Sequence, residues 1–168
     1  MERREIENTA DGHILSALPD VPDLRDWPFE PSLGKLNRFI RPPSGLIILD
    51  QEREGACTGF ALAAIINLLN QRRGDKTRVS PRMLYEMAKR HDEWPGEGYA
   101  GSSCRGAIKG WYNMGVCRDS QWKYTENSPG ELTVARAKDA RKHTIGALLE
   151  TILGGAPDVP FTSETLTY

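Results

Sequence analysis

The sequence predicts an α+β fold class built on one central helix that opens at Cys57, and three observations carry that prediction. From Phe60 to Leu69 the chain reads Phe-Ala-Leu-Ala-Ala-Ile-Ile-Asn-Leu-Leu, apolar almost all round, and a helix of that kind is buried on most faces. Ser80-Pro81 supplies an N-cap and a first-position proline, so a second helix starts there. Pro19, Pro22, Pro28, Pro31, Pro42 and Pro43 keep residues 1–44 extended and irregular, because each fixes its own φ and pushes its predecessor out of the helical region.

The elements follow in order. Gly45-Leu-Ile-Ile-Leu49 is a short buried strand or an apolar approach to the central helix. That helix runs from near Cys57 to Gln71-Arg-Arg-Gly74, with cations in its last turn. The second helix covers about 81–91, with Leu84, Met87 and Ala88 on one face, and the glycine-rich stretch His91–Ser102 is a loop. A third helix covers about 103–114, its apolar side made by Ala107, Ile108, Trp111 and Met114, and Gly115 ends it. A fourth covers about 133–153, beginning charged and ending in Ala147, Leu148, Leu149, Ile152 and Leu153.

Composition narrows the function classes. The 168 residues suit one domain, and 22 basic against 23 acidic residues give a net charge of −1, which carries no nucleic-acid footprint. No run approaches the roughly 18 apolar residues of a membrane span. Met1–Asp20 is charged and lacks the apolar core of a secretory signal, so a cytoplasmic setting is expected, with Cys57, Cys104 and Cys117 as free thiols.

The informative window is Asp50-Gln51-Glu52-Arg53-Glu54-Gly55-Ala56-Cys57-Thr58-Gly59-Phe60. A thiol at the start of a helix meets the positive end of the macrodipole, which favours the nucleophilic thiolate. Gln51 can present its amide N–H beside the Cys57 backbone N–H, two donors suited to the oxyanion of a tetrahedral intermediate. Against this, a free cysteine on an apolar helix is usually a small core residue.

The spacing resembles the active-site motif of the papain-like cysteine peptidases, in a form similar to divergent bacterial members. In that family a Gln stands six positions before the nucleophilic Cys and a Gly two before it, as Gln51 and Gly55 stand to Cys57. Phe60 matches the aromatic three positions on, and Leu24-Arg-Asp-Trp27 resembles the opening of many mature members. Ser80-Pro81 with Leu84-Tyr85, then Gly101-Ser-Ser103, Ala107, Ile108 and Gly115-Val116, resemble the family's next helices and its glycine-rich substrate edge. Trp122-Lys-Tyr124 fits the aromatic corner beyond them, and Gly146-Ala-Leu-Leu149 resembles the helix that crosses between the lobes.

The resemblance implies a left lobe and crossover helix over 20–156, an N-terminal arm over 1–19, and the start of a right lobe over 157–168. It implies Cys57 as nucleophile, Gln51 as oxyanion donor, and Gly101, Ser102 and Ser103 as substrate-binding residues. A peptide or protein is then the substrate, with no cofactor, no metal, no nucleic acid and no membrane. Two departures stand out. Glu54 occupies the place of a cysteine that the family disulfide-bonds to its glycine-rich loop, and Thr58 replaces the tryptophan that commonly follows the nucleophile.

The mechanism also needs a histidine, which papain-like chains carry roughly 130–150 residues beyond the Cys. The right lobe with its His and Asn is therefore expected to be largely missing, the fragment alone inactive, and its inter-lobe face open to self-association. His143, in Arg-Lys-His-Thr, reads as a solvated helix residue, His91 as a helix end, and His13 as a surface residue. Cys104 and Cys117 lack the paired spacing of a zinc site. Trp27, Trp94, Trp111 and Trp122 are spread as packing residues rather than as a stacking platform. A non-catalytic peptide-binding or assembly module is the alternative, and acyl transfer on the same thiol plan is a third reading.

Overall fold

The structure, a computed structural model, describes residues 12, 17–20, 22, 24, 41, 43–92 and 100–146. In chain order these form β1 (Ala17–Leu18), α1 (Cys57–Arg72), α2 (Pro81–His91), β2 (Ser102–Ser103), α3 (Cys104–Met114) and α4 (Val134–Ala140). β1 and β2 pair in parallel, Ala17 opposite Ser102 and Leu18 opposite Ser103.

Local chemistry sets the helix boundaries. The Ser80 hydroxyl accepts from the Met83 N–H at 3.1 Å and donates to the Trp122 carbonyl, so α2 begins where Ser80-Pro81 requires. Ser103 caps α3 in the same way, accepting from the Gly106 N–H at 2.9 Å, and Gly115 closes that helix. α2 lies between α1 and α3. Its contact with α1 depends on Gly59, where an added Cβ would come 2.7 Å from the Tyr85 backbone nitrogen and 2.9 Å from the Pro81 carbonyl.

The main core gathers Ala63 and Ile66 of α1, Met83, Leu84 and Met87 of α2, Trp111 of α3, and Val79, Val116, Cys117 and Trp122 from the connections. Each fully buried large side chain contributes about 1.5–3 kcal/mol to that centre. A second cluster of Ala56, Phe60 and Tyr85, joined by Leu49 and Tyr124, lies behind the start of α1. Phe60 and Tyr124 meet edge to face with ring centroids 4.7 Å apart.

Several expectations are corrected. Gly45–Leu49 is not a strand: Ile47 and Ile48 are 55% and 91% exposed, and only Leu49 packs inward. No described segment pairs with it, and an apolar run without a ladder partner has nothing to fix it as a strand. α1 is buried on one side rather than on most faces, for Ala61 and Ala64 are exposed and Ile65 is 53% exposed. Ile108 of α3 also faces outward.

The predicted fourth helix ends early, at Ala140, and helical structure restarts at Ile145. Its last N–H groups turn to closer carbonyls, Lys142 to Asp139 and His143 to Ala140, a tightening that terminates helices. The freed His143 carbonyl then accepts from the Trp111 indole at 2.9 Å. The crossover residues 147–149, the segment 157–168, Trp27, Trp94 and His13 lie outside the described residues.

Candidate active site

Cys57 is the first residue of α1, and its free thiol is partly exposed. The preceding Ala56 has no side chain with which to cap the helix, and no acidic residue sits in the first turn. The positive end of α1 therefore faces the thiol without competition from a capping oxygen.

Residues 50–56 are held by one charged network. Arg82, fully buried in the first turn of α2, grips the Glu54 carboxylate in a fork, with both nitrogen–oxygen distances at 2.6 Å. The same guanidinium reaches Glu86 at 3.1 Å and the Thr125 carbonyl, and lies 4.4 Å from the centre of the Tyr124 ring. Glu54 also accepts from the Asn127 N–H at 3.1 Å and the Tyr124 hydroxyl at 3.0 Å. Burial alone would raise the Glu54 carboxyl, but the Arg82, Asn127 and Tyr124 hydrogen bonds and the Arg82 charge bring it below its ordinary value. For Tyr124, burial and the bond to Glu54 raise the phenol, which keeps it a hydrogen donor.

Gln51 belongs to this network at both ends. Its backbone carbonyl accepts from the Tyr124 hydroxyl at 2.7 Å, and its amide Nε2 donates to the Glu54 carbonyl at 3.1 Å. That carbonyl also receives the Ala56 N–H at 2.7 Å. Glu54 thus touches the Gln51 amide through its backbone while its carboxylate is tied to α2.

Beside the start of α1 lies the edge made by Gly101, Ser102 and Ser103, all buried. Gly101 takes φ = 119°, which a side chain would strain, and its N–H donates to the Tyr85 hydroxyl at 3.1 Å. The Ser102 hydroxyl meets Thr58 Oγ1 at 2.5 Å, so the residue after Cys57 is fastened to the edge directly. Ser103 donates its N–H and hydroxyl to Asp92, each at 2.8 Å. The side chains of Ser102 and Ser103 are therefore committed to structure, and strand pairing engages the edge through its backbone. In this structure the pairing partner is the chain's own arm, Ala17–Leu18. Asp20 extends the attachment by accepting from the Arg105 N–H at 2.9 Å.

The remaining candidates lie elsewhere. His91 Nδ1 contacts the Met87 carbonyl at 2.9 Å and His143 Nδ1 the Asp139 carbonyl at 3.2 Å. Neither ring is hydrogen-bonded to Cys57 among the described residues. Cys104 is exposed, whereas Cys117 is buried, and burial with the Asp139 charge pushes its thiol up to about 11. Sequence reasoning missed Arg82 and placed Tyr124 only in an aromatic corner, not in contact with the Gln51 loop. The one available signal was a cation in the first turn of a helix, where the dipole disfavours it.

The architecture is the α+β papain-like fold, present over part of its extent. The chain is similar to xylellain, a cysteine protease from Xylella fastidiosa, with a TM-score of 0.64 and 22% identity over 86% of this chain and 58% of that one. No family model matches the chain, and no curated protein matches it.

Proposed function

We propose that this chain carries the nucleophile half of a cysteine peptidase site. The observation that carries the reading is the joint placement of Cys57 at the uncapped start of α1, Gln51 in the loop before it, and a strand-forming edge at Ser102–Ser103. The thiolate of Cys57 attacks the scissile carbonyl carbon, and the carbonyl oxygen takes the negative charge beside the Cys57 and Gln51 N–H groups. The carbon–nitrogen bond then breaks, the amine leaves with a proton, and water hydrolyses the thioester. The histidine that moves those protons belongs to a second lobe in this reading. Gly101, Ser102 and Ser103 align the peptide substrate by backbone pairing.

The chain contains its own control. Cys104 is more exposed than Cys57, so accessibility alone predicts faster alkylation of Cys104. Limiting iodoacetamide at neutral pH, read by peptide mapping, is expected to modify Cys57 about tenfold faster. Equal or slower modification of Cys57 would remove the catalytic reading.

One observation favours the alternative of a peptide-binding or assembly module without catalysis: β2 already holds an extended segment. That reading expects retained peptide binding with no acceleration at Cys57. For either reading, the outward apolar residues Ile47, Ile48 and Ile65 offer a face for a second lobe or a second copy. Sedimentation velocity of the chain, with and without Ile48→Glu, tests the second copy.

A further inference from the structure

We propose that Glu54 and Tyr124 are positioning residues that aim the Gln51 amide at the oxyanion through the hydrogen bonds they make to Gln51. The inference rests on the reading of Cys57 and Gln51 given above, and deepens it.

Glu54 carries two roles at once. Its carbonyl meets the Gln51 amide at 3.1 Å, and its carboxylate is fixed by the fully buried Arg82 at 2.6 Å and by the Asn127 N–H at 3.1 Å. Tyr124 fixes the other end of the same residue, donating to the Gln51 carbonyl at 2.7 Å. The Arg53 N–H adds a third tie to the same corner through Glu126, at 3.1 Å. A side-chain donor useful in a transition state must be held before the reaction begins, since reorganising it then costs rate. A loop of residues 50–56 has little internal structure with which to hold one, so the rigidity comes from α2 and the 124–127 corner.

A peptide aldehyde isolates this role. Cys57 Sγ bonds to the aldehyde carbon, the carbon–oxygen double bond becomes a single bond as its π bond breaks, and the thiol proton ends on that oxygen. The adduct needs no histidine and no co-reactant, and it places an oxygen in the oxyanion position. Iodoacetamide, by contrast, displaces iodide and forms no such oxygen. The experiment measures, on the full chain, the aldehyde dissociation constant and the iodoacetamide rate at Cys57 for Gln51→Ala, Tyr124→Phe and Glu54→Gln.

Gln51→Ala is expected to weaken the aldehyde about 100-fold, and the two positioning variants about 10-fold, with alkylation rates held within about twofold. Tyr124→Phe keeps the ring packed on Phe60 and Arg82, so it remains informative if Glu54→Gln folds poorly. If Gln51→Ala weakens the aldehyde and Tyr124→Phe does not, the positioning role is overturned while Gln51 stands. A lower melting temperature with unchanged aldehyde affinity likewise makes both residues purely structural. If Gln51→Ala itself has no effect, or the natural chain forms no adduct at Cys57, the underlying site reading fails and the positioning role falls with it.

Discussion

The Cys57 loop and the Gly101–Ser103 edge are held by different chemistry. The Cys57 side, residues 50–57, is held by a buried guanidinium forked onto the Glu54 carboxylate, to which Tyr124 and the Asn127 N–H also donate. The edge, residues 101–103, is held by hydroxyl and N–H contacts, Ser102 to Thr58, Ser103 to Asp92 and Gly101 to Tyr85. The difference follows from what each side must leave available. On the proposed reading the loop holds the Gln51 amide in place, which strong and directional ties suit. The edge pairs through its backbone with Ala17–Leu18, while the Ser102 and Ser103 side chains bond to Thr58 and Asp92.

The comparison breaks most severely at Arg82. Arg82→Leu strands the Glu54 carboxylate against an apolar neighbour and removes the link between loop and α2. Removing one partner of a buried pair costs about 3–5 kcal/mol, and urea unfolding should show a loss of that size. A loss below about 1 kcal/mol would mean that the pair behaves as a surface ion pair. The contrast is available within the molecule, because Arg118 and Asp139 form a 2.8 Å pair with Arg118 half exposed. Added salt should weaken the Arg118 contact and leave the Arg82 contact nearly unchanged.

Next in size is Gly59→Ala, which acts on both sides together. α1 carries Cys57 and α2 carries the Arg82 anchor, and the new methyl would meet Tyr85 and Pro81 backbone atoms that cannot swing aside. Overpacking of this kind costs about 1–3 kcal/mol. If the melting temperature does not move, the helices have more room between them than these distances allow.

What was legible in the sequence divides along similar lines. Ser80-Pro81 marks a helix start through a bond that spans three residues, and apolar spacing with Gly115 marks the next helix, so α2 and α3 could be placed from the sequence. The motif around Cys57 was legible for the same reason, since helix start, Gln51 and Gly55 lie within one short window. The Arg82–Glu54–Tyr124 network was not, because its members are 28 and 70 residues apart and nothing in the local sequence of any one of them points to the other two. Gly45–Leu49 misled because apolar content reads as burial, while a strand also needs a partner that composition does not supply.

At the edge, Ser103→Ala is expected to cost about 1 kcal/mol, the usual loss for an N-cap, since the Asp92 carboxylate keeps the Ser103 N–H. The measurement is again urea unfolding, and the edge should lose stability without any change in Cys57 alkylation. A change at Cys57 would show that the two sides are coupled through Thr58 and Ser102 more tightly than their separate chemistry implies.

The smallest effect expected is in acid. The Glu54 carboxyl is held below its ordinary value in the folded chain, so its contribution is fully present above the unfolded value of about 4.3. That contribution disappears as the pH falls through the lowered folded value, where the carboxylate takes up a proton and loses its hold on Arg82. The stability difference between the natural chain and Glu54→Gln should therefore be constant from about pH 5 to 7 and shrink only at lower pH. Asp139 is lowered too, with burial opposing the Arg118 contacts, and it titrates in both proteins, so it cancels from the difference. A difference that instead grows on acidification would mean that Glu54 is raised rather than lowered in the fold. Burial would then outweigh the Arg82 fork, and the loop would be held by packing alone.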